Sequence, residues 1–170
     1  MNGRRNNKEY LRLYAVTDRE CMGSRNLYDC VSEAIDGGVT ALQLREKNLS
    51  YDDFLKQAQE ISELAKKKNV PLIINDNVEI ARLCGAGVHV GQSDMSVAEA
   101  RRILGDGAII GASARTPEQA QRAESQGADY LGVGAVFGTK TKSDAKTINT
   151  EILKEICNSV KIPVVADVLR

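Results

Sequence analysis

The sequence predicts an α/β fold built on parallel strands, and three observations carry the prediction. Short β-branched or aliphatic runs recur roughly every 20 to 25 residues, helical patterns fill the intervals, and glycines mark where a helix hands over to the next strand. The strands are expected at 11–16, 40–44, 72–75, 88–90, 109–112, 130–133 and 163–166. Helical patterns fit 27–36, 51–68, 97–104, 117–125 and 150–159. Gly37-Gly38, Gly85-Ala86-Gly87 and Gly127-Ala128 close helices in the manner of C-terminal glycines. Because they fall at one place in successive βα units, polar residues gather at the opposite strand ends, as in a TIM (β/α)8-type barrel, whose βα loops build active sites. An open doubly wound sheet is the rival; it would carry a G-x-G-x-x-G turn after its first strand, and the sequence has none there.

Within the helical intervals, Phe54, Leu55, Ala58, Ile61, Leu64 and Ala65 recur at helical spacing, and Ser50 with Asp53 forms a capping box in front of them. Thr116 before Pro117 is the natural cap for the helix at 117–125. A length of 170 residues with 42% hydrophobic content closes one core. The expected organisation is a polar arm over 1–10, carrying Arg4, Arg5 and Lys8, followed by a single barrel domain over 11–170. A complete barrel usually takes about 250 residues. The expectation is therefore about seven strands, C-terminally incomplete and lacking the last helix-strand-helix, with open strand edges that favour a homo-oligomer.

Charge and cysteine usage exclude several function classes. Lys plus Arg and Asp plus Glu number 23 each, so no net field recruits nucleic acid or an anionic membrane. The sequence shows neither an apolar run of membrane-spanning length nor the h-region of a signal peptide, and Cys21, Cys30, Cys84 and Cys157 have no C-x-x-C spacing. Reduced thiols and a cytoplasmic protein are expected. His89, the only histidine, sits in an apolar run and reads as a core or strand-end residue.

The residues with chemistry cluster after the predicted strands. Asp76 follows Leu72-Ile73-Ile74-Asn75, and Asp94 closes Gly87-Val88-His89-Val90-Gly91-Gln92-Ser93-Asp94. Two carboxylates at neighbouring strand ends suit a hard cation such as Mg²⁺, which takes one or two protein carboxylates and leaves its other positions to water and substrate phosphate. In Gln43-Leu44-Arg45-Glu46-Lys47, strand alternation sends Gln43, Arg45 and Lys47 to one side; read alone, the basic pair beside Glu46 is a solvated strand end. The loop from Gly132 to Lys142 is rich in glycine, threonine and lysine and offers donors for phosphate oxygens without Walker spacing; a surface loop is the plainer account. Ser113 adds a hydroxyl at the end of the fifth strand.

The strings YAVTDR at 14–19, ALQLREK at 41–47, LIINDNVEIA at 72–81, GVHVGQSDM at 87–95, IIGASA at 109–114, GADYLGVGAVFGTKTK at 127–142 and IPVVA at 162–166 closely resemble the thiamine phosphate synthase family. The resemblance implies a TIM-barrel transferase that joins hydroxymethylpyrimidine diphosphate to thiazole monophosphate with Mg²⁺. It implies Asp76 and Asp94 as metal ligands, Arg45, Lys47, Asn75 and Lys142 on the diphosphate, Gln43 and Ser113 on the pyrimidine, and Thr139 and Thr141 facing the thiazole. The chain departs from the family pattern at Arg115, where a histidine is usual, and at Ala135-Val136, where a proline is usual. Two alternatives stay open: a remnant that binds only the pyrimidine diphosphate, and a paralogue resembling the thiazole tautomerase.

Overall fold

The computed structural model describes residues 8–136 and 148–167. They fall into two compact units, one drawn from Met1–His89 with Ile103–Ile109, the other from Val90–Arg102 with Ile110–Arg170.

The first unit carries strands β1 (Tyr14–Val16), β2 (Ala41–Leu44), β3 (Leu72–Asn75) and the start of β4 (Gly87–Val90). Each is parallel to the next, in registers such as Val16 with Gln43, Leu44 with Ile74, and Asn75 with His89. Helices α1 (Arg19–Met22), α2 (Leu27–Asp36), α3 (Tyr51–Lys67) and α4 (Val78–Cys84) fill the crossovers. The first strand is shorter than expected at 11–16, because Lys8–Leu11 closes a 3-10 turn instead. Neither α1 nor α4 was expected. Helix α4 is hidden in the sequence by the polar triplet Asn75-Asp76-Asn77, whose last member caps it by accepting the Ile80 N–H at 2.9 Å.

The core of this unit follows from the apolar periods. Helix α3 is capped by Ser50, which accepts the Asp53 N–H, and buries Phe54, Ala58, Ile61, Leu64 and Ala65. It packs on β3 and on helices α2 and α4. Every residue of β2 is buried, and Ile73 and Ile74 of β3 are fully inaccessible. Strands enclosed on both faces read as continuous aliphatic runs, which is why they were legible. Each such Leu or Ile contributes about 1.5–3 kcal/mol. The Cys84 carbonyl at the end of α4 accepts from Ser62 Oγ at 3.0 Å and Lys66 Nζ at 2.9 Å, and Gly85 turns the chain out at φ +60°. Burial pushes the Cys84 thiol up, against the opposing pull of Lys66.

The second unit holds β5 (Ile110–Ser113), α6 (Pro117–Ser125), β6 (Tyr130–Val133), α7 (Thr150–Ser159) and β7 (Val164–Ala166), again parallel. Thr116 caps α6 by accepting the Gln119 N–H. At the base of β5, the Asp129 carboxylate accepts from the Ile110 N–H at 2.7 Å and from Arg101 Nη2 at 2.6 Å, and the same guanidinium reaches the Gly127 carbonyl. Helix α5 (Val97–Leu104) opens on a full capping box: Ser96 Oγ accepts the Glu99 N–H, and Glu99 Oε2 accepts from both the Ser96 N–H and hydroxyl. The Ser96 hydroxyl, then its N–H, hold the Glu99 carboxyl below the usual carboxylate range. A lowered folded value stabilises above the unfolded one and is lost as pH falls through it. Ser96→Ala is accordingly expected to lower the urea midpoint near neutral pH by the contribution of one helix cap, and the gap from the parent chain should narrow in acid, as urea titrations across pH would show.

Candidate functional site

The site is assembled at the strand C-termini, beginning with β2. Gln43 is 6% exposed, and its Nε2 donates to the Tyr14 hydroxyl at 2.8 Å, which leaves the amide oxygen unengaged among the described residues. Arg45 is half-buried and Lys47 exposed. The Arg45 guanidinium makes no hydrogen bond or ion pair with the described residues, while its peptide group is held by the Thr17 hydroxyl. Glu46 is not at a solvated strand end: its side chain is 3% exposed and accepts from Arg19 Nε at 2.7 Å. Two cations thus flank a carboxylate that is already paired elsewhere.

Strand β3 delivers Asn75 and Asp76 beside them, since Leu44 and Ile74 are in register. Asp76 has φ +62°, and the Asn77 N–H donates to the Asn75 carbonyl at 2.8 Å, closing a γ-turn centred on Asp76. The Asp76 N–H is fixed by the His89 carbonyl at 2.8 Å. A non-glycine residue held left-handed carries strain, and such residues concentrate at functional sites. His89 itself is a buried residue of β4, as its apolar run implied.

In the second unit, Asp94 is exposed, and its Oδ2 accepts the Gly91 N–H at 2.7 Å. A Cβ on Gly91 would lie 2.8 Å from that oxygen, so glycine is what allows the turn. Ser113 ends β5, and its carbonyl accepts from Gln92 Nε2 at 2.6 Å; Gln92 Oε1 accepts from Arg122 Nη2 at 2.6 Å. A cavity of about 240 Å³ is lined here by Gly91, Gln92, Asp94, Gln119 and Arg122 among others.

The structure therefore brings Gln43, Arg45, Lys47, Asn75 and Asp76 to one edge of the first unit, and Asp94 and Ser113 to linked turns of the second. Thr139, Thr141 and Lys142 lie outside the described residues. Sequence reasoning missed Thr17, Arg19, Tyr14 and Gln92 as supporting groups; only the position of Thr17 directly after a strand gave a signal. Among the described residues, no three or more His, Cys, Asp or Glu side chains gather as a metal cluster. No helix among them is long and apolar enough to cross a membrane.

Known thiamine-phosphate synthases are among the proteins this chain is similar to. Residues 13–167 match the family model described as thiamine monophosphate synthase. A thiamine-phosphate synthase of Clostridioides difficile is 50% identical over 159 residues, which is 93% of this chain and 76% of that protein. One of Clostridium acetobutylicum is 52% identical over 155 residues, 91% of this chain and 74% of that protein. Among solved structures, a thiamine phosphate pyrophosphorylase from Pyrococcus furiosus superposes with a TM-score of 0.83 at 39% identity, covering 94% of this chain and 75% of that one. The chain spans about three quarters of the length of these relatives. The seven strands among the described residues alternate with helices in the TIM-type α/β architecture expected from the sequence. The chain belongs to the thiamine monophosphate synthase family and is an enzyme of thiamine biosynthesis.

Proposed function

We propose that the chain joins 4-amino-2-methyl-5-hydroxymethylpyrimidine diphosphate to thiazole monophosphate, giving thiamine phosphate and pyrophosphate. The observation that carries this reading is the edge where Arg45 and Lys47, whose side chains have no partner among the described residues, stand beside Asn75 and the strained Asp76. Cations and a carboxylate together suit a diphosphate bound with a divalent metal better than either alone.

Asp76 and Asp94 each offer hard carboxylate oxygens, the donor type that suits Mg²⁺, which leaves its remaining positions to water and phosphate. When bound there, Mg²⁺ neutralises charge on the departing pyrophosphate. Arg45, Lys47, Asn75 and Lys142 bind the diphosphate oxygens, and the positive charge of Arg45, Lys47 and Lys142 favours the state in which negative charge has accumulated on the leaving group. The free amide oxygen of Gln43 accepts from the 4-amino group of the pyrimidine, and Ser113 completes its orientation. Thr139 and Thr141 face the thiazole. No side-chain nucleophile or base takes part: the electron-rich aminopyrimidine releases pyrophosphate as a stabilised cation, which the thiazole nitrogen captures, so the protein positions and shields.

The substrates are small molecules, with neither nucleic acid nor membrane as partner, and the chain works in the cytoplasm. The exposed Leu13 and Val16 beside and within β1, at 52% and 48%, support self-association there. The test is pyrophosphate release by the purified chain with Mg²⁺ and both substrates, against reactions lacking the metal or either substrate. Release requiring all three is expected. A folded chain that binds the pyrimidine diphosphate but releases nothing would overturn the proposal in favour of a binding remnant.

A further inference from the structure

We propose that Thr17 is a positioning residue for Arg45: its hydroxyl seizes the Arg45 peptide on both sides and sets the direction in which the guanidinium leaves the sheet. The inference rests on the reading of Arg45 as a diphosphate ligand and adds the group that holds it.

The register makes the device explicit. Val16 pairs with Gln43, and the Thr17 N–H donates to the Gln43 carbonyl at 2.9 Å, so a continuing parallel ladder would send the Arg45 N–H to the Thr17 carbonyl. It goes instead to the Thr17 hydroxyl at 2.9 Å, and that hydroxyl donates to the Arg45 carbonyl at 3.3 Å. One hydroxyl, on a residue 8% exposed, thus satisfies both backbone polar groups of Arg45 and ends β2 at Leu44. Without it, the ladder would run on, or the Arg45 N–H would be left without a protein partner.

A second contact fixes the chain on the far side. Two residues beyond Thr17, Arg19 Nε donates to Glu46 Oε1 at 2.7 Å, and the Glu46 side chain is 3% exposed. Glu46 is anchored inward, so Arg45 and Lys47 on either side of it are left to the substrate. The guanidinium has no partner of its own among the described residues, so its aim depends on the backbone that carries it.

The test uses the whole chain with Mg²⁺ and inorganic pyrophosphate as the probe, titrated by calorimetry, in the parent, Thr17→Val, Thr17→Ser, Arg45→Gln and Thr17→Val/Arg45→Gln forms. Thr17→Val should weaken pyrophosphate binding by about tenfold, the size of one lost hydrogen bond, and Thr17→Ser should restore it. In the Arg45→Gln background, Thr17→Val should add less than about twofold, because the two changes remove one function. Thr17→Ala replaces the valine form if that form does not fold. Parent-like affinity in Thr17→Val, or an equal penalty with and without Arg45, would overturn the inference. An Arg45→Gln form that binds as tightly as the parent would instead sink the reading of Arg45, and the inference with it.

Discussion

Asp94→Asn lowers turnover by about a hundred- to thousandfold with thermal unfolding nearly unchanged, the expected result if the carboxylate serves the departing diphosphate. The amide keeps an oxygen to accept the Gly91 N–H, so the turn that Asp94 Oδ2 now closes at 2.7 Å survives while the charge is lost. Asp76→Asn makes the same exchange at the other carboxylate, and asparagine tolerates the φ of +62° about as well as aspartate. Turnover of both variants, measured with saturating substrates across a range of Mg²⁺ concentrations, separates two effects. Activity that returns at high metal marks a weakened ligand; loss at every concentration marks a charge needed in the transition state. Parent-like rates throughout would remove the residue from the site.

Gly111→Ala should have the largest effect on stability, about 3 kcal/mol or more. A Cβ at Gly111 would run into the Cζ, Cε1 and hydroxyl of Tyr130, its direct partner across β5 and β6. Tyr130 is 1% exposed and the largest fully buried side chain, so the ring has no space to swing into. Because Ser113 lies two residues along the same strand, the strain should also reach the pyrimidine contact proposed for it and reduce activity below the melting range. Denaturant unfolding of Gly111→Ala, alone and with Tyr130→Leu, provides the check: the second change should recover part of the loss. An unchanged midpoint in the single variant would show that the strands separate without cost.

Much of this organisation was legible in the chain because it is periodic. Ile73-Ile74 and Leu131 advertise buried parallel strands, and the spacing from Phe54 to Ala65 advertises a helix with one apolar face. The residues proposed to face substrate came from the same signal, since Arg45, Asn75 and Asp76 fall where aliphatic runs end. What escaped is non-periodic. The contact from Thr17 to Arg45 joins residues 28 apart, and the Arg19–Glu46 pair residues 27 apart; neither leaves a repeating trace. For that reason nothing in the sequence marked Glu46, between the two cations, as buried and paired with Arg19. The short helix α4 escaped because Asn75-Asp76-Asn77 looks like a loop, although one of the three is a strand end, one a turn and one a cap.

The γ-turn at Asp76 places two unrelated filters on a single position. Backbone geometry at φ +62° admits glycine freely and asparagine and aspartate at less strain than other side chains, and it disfavours longer or branched residues. The proposed chemistry admits only a carboxylate, hence aspartate or glutamate. The two sets share one member, so the genetic code leaves position 76 no neutral neighbour: every single-nucleotide step away from aspartate gives up the charge, the turn, or both.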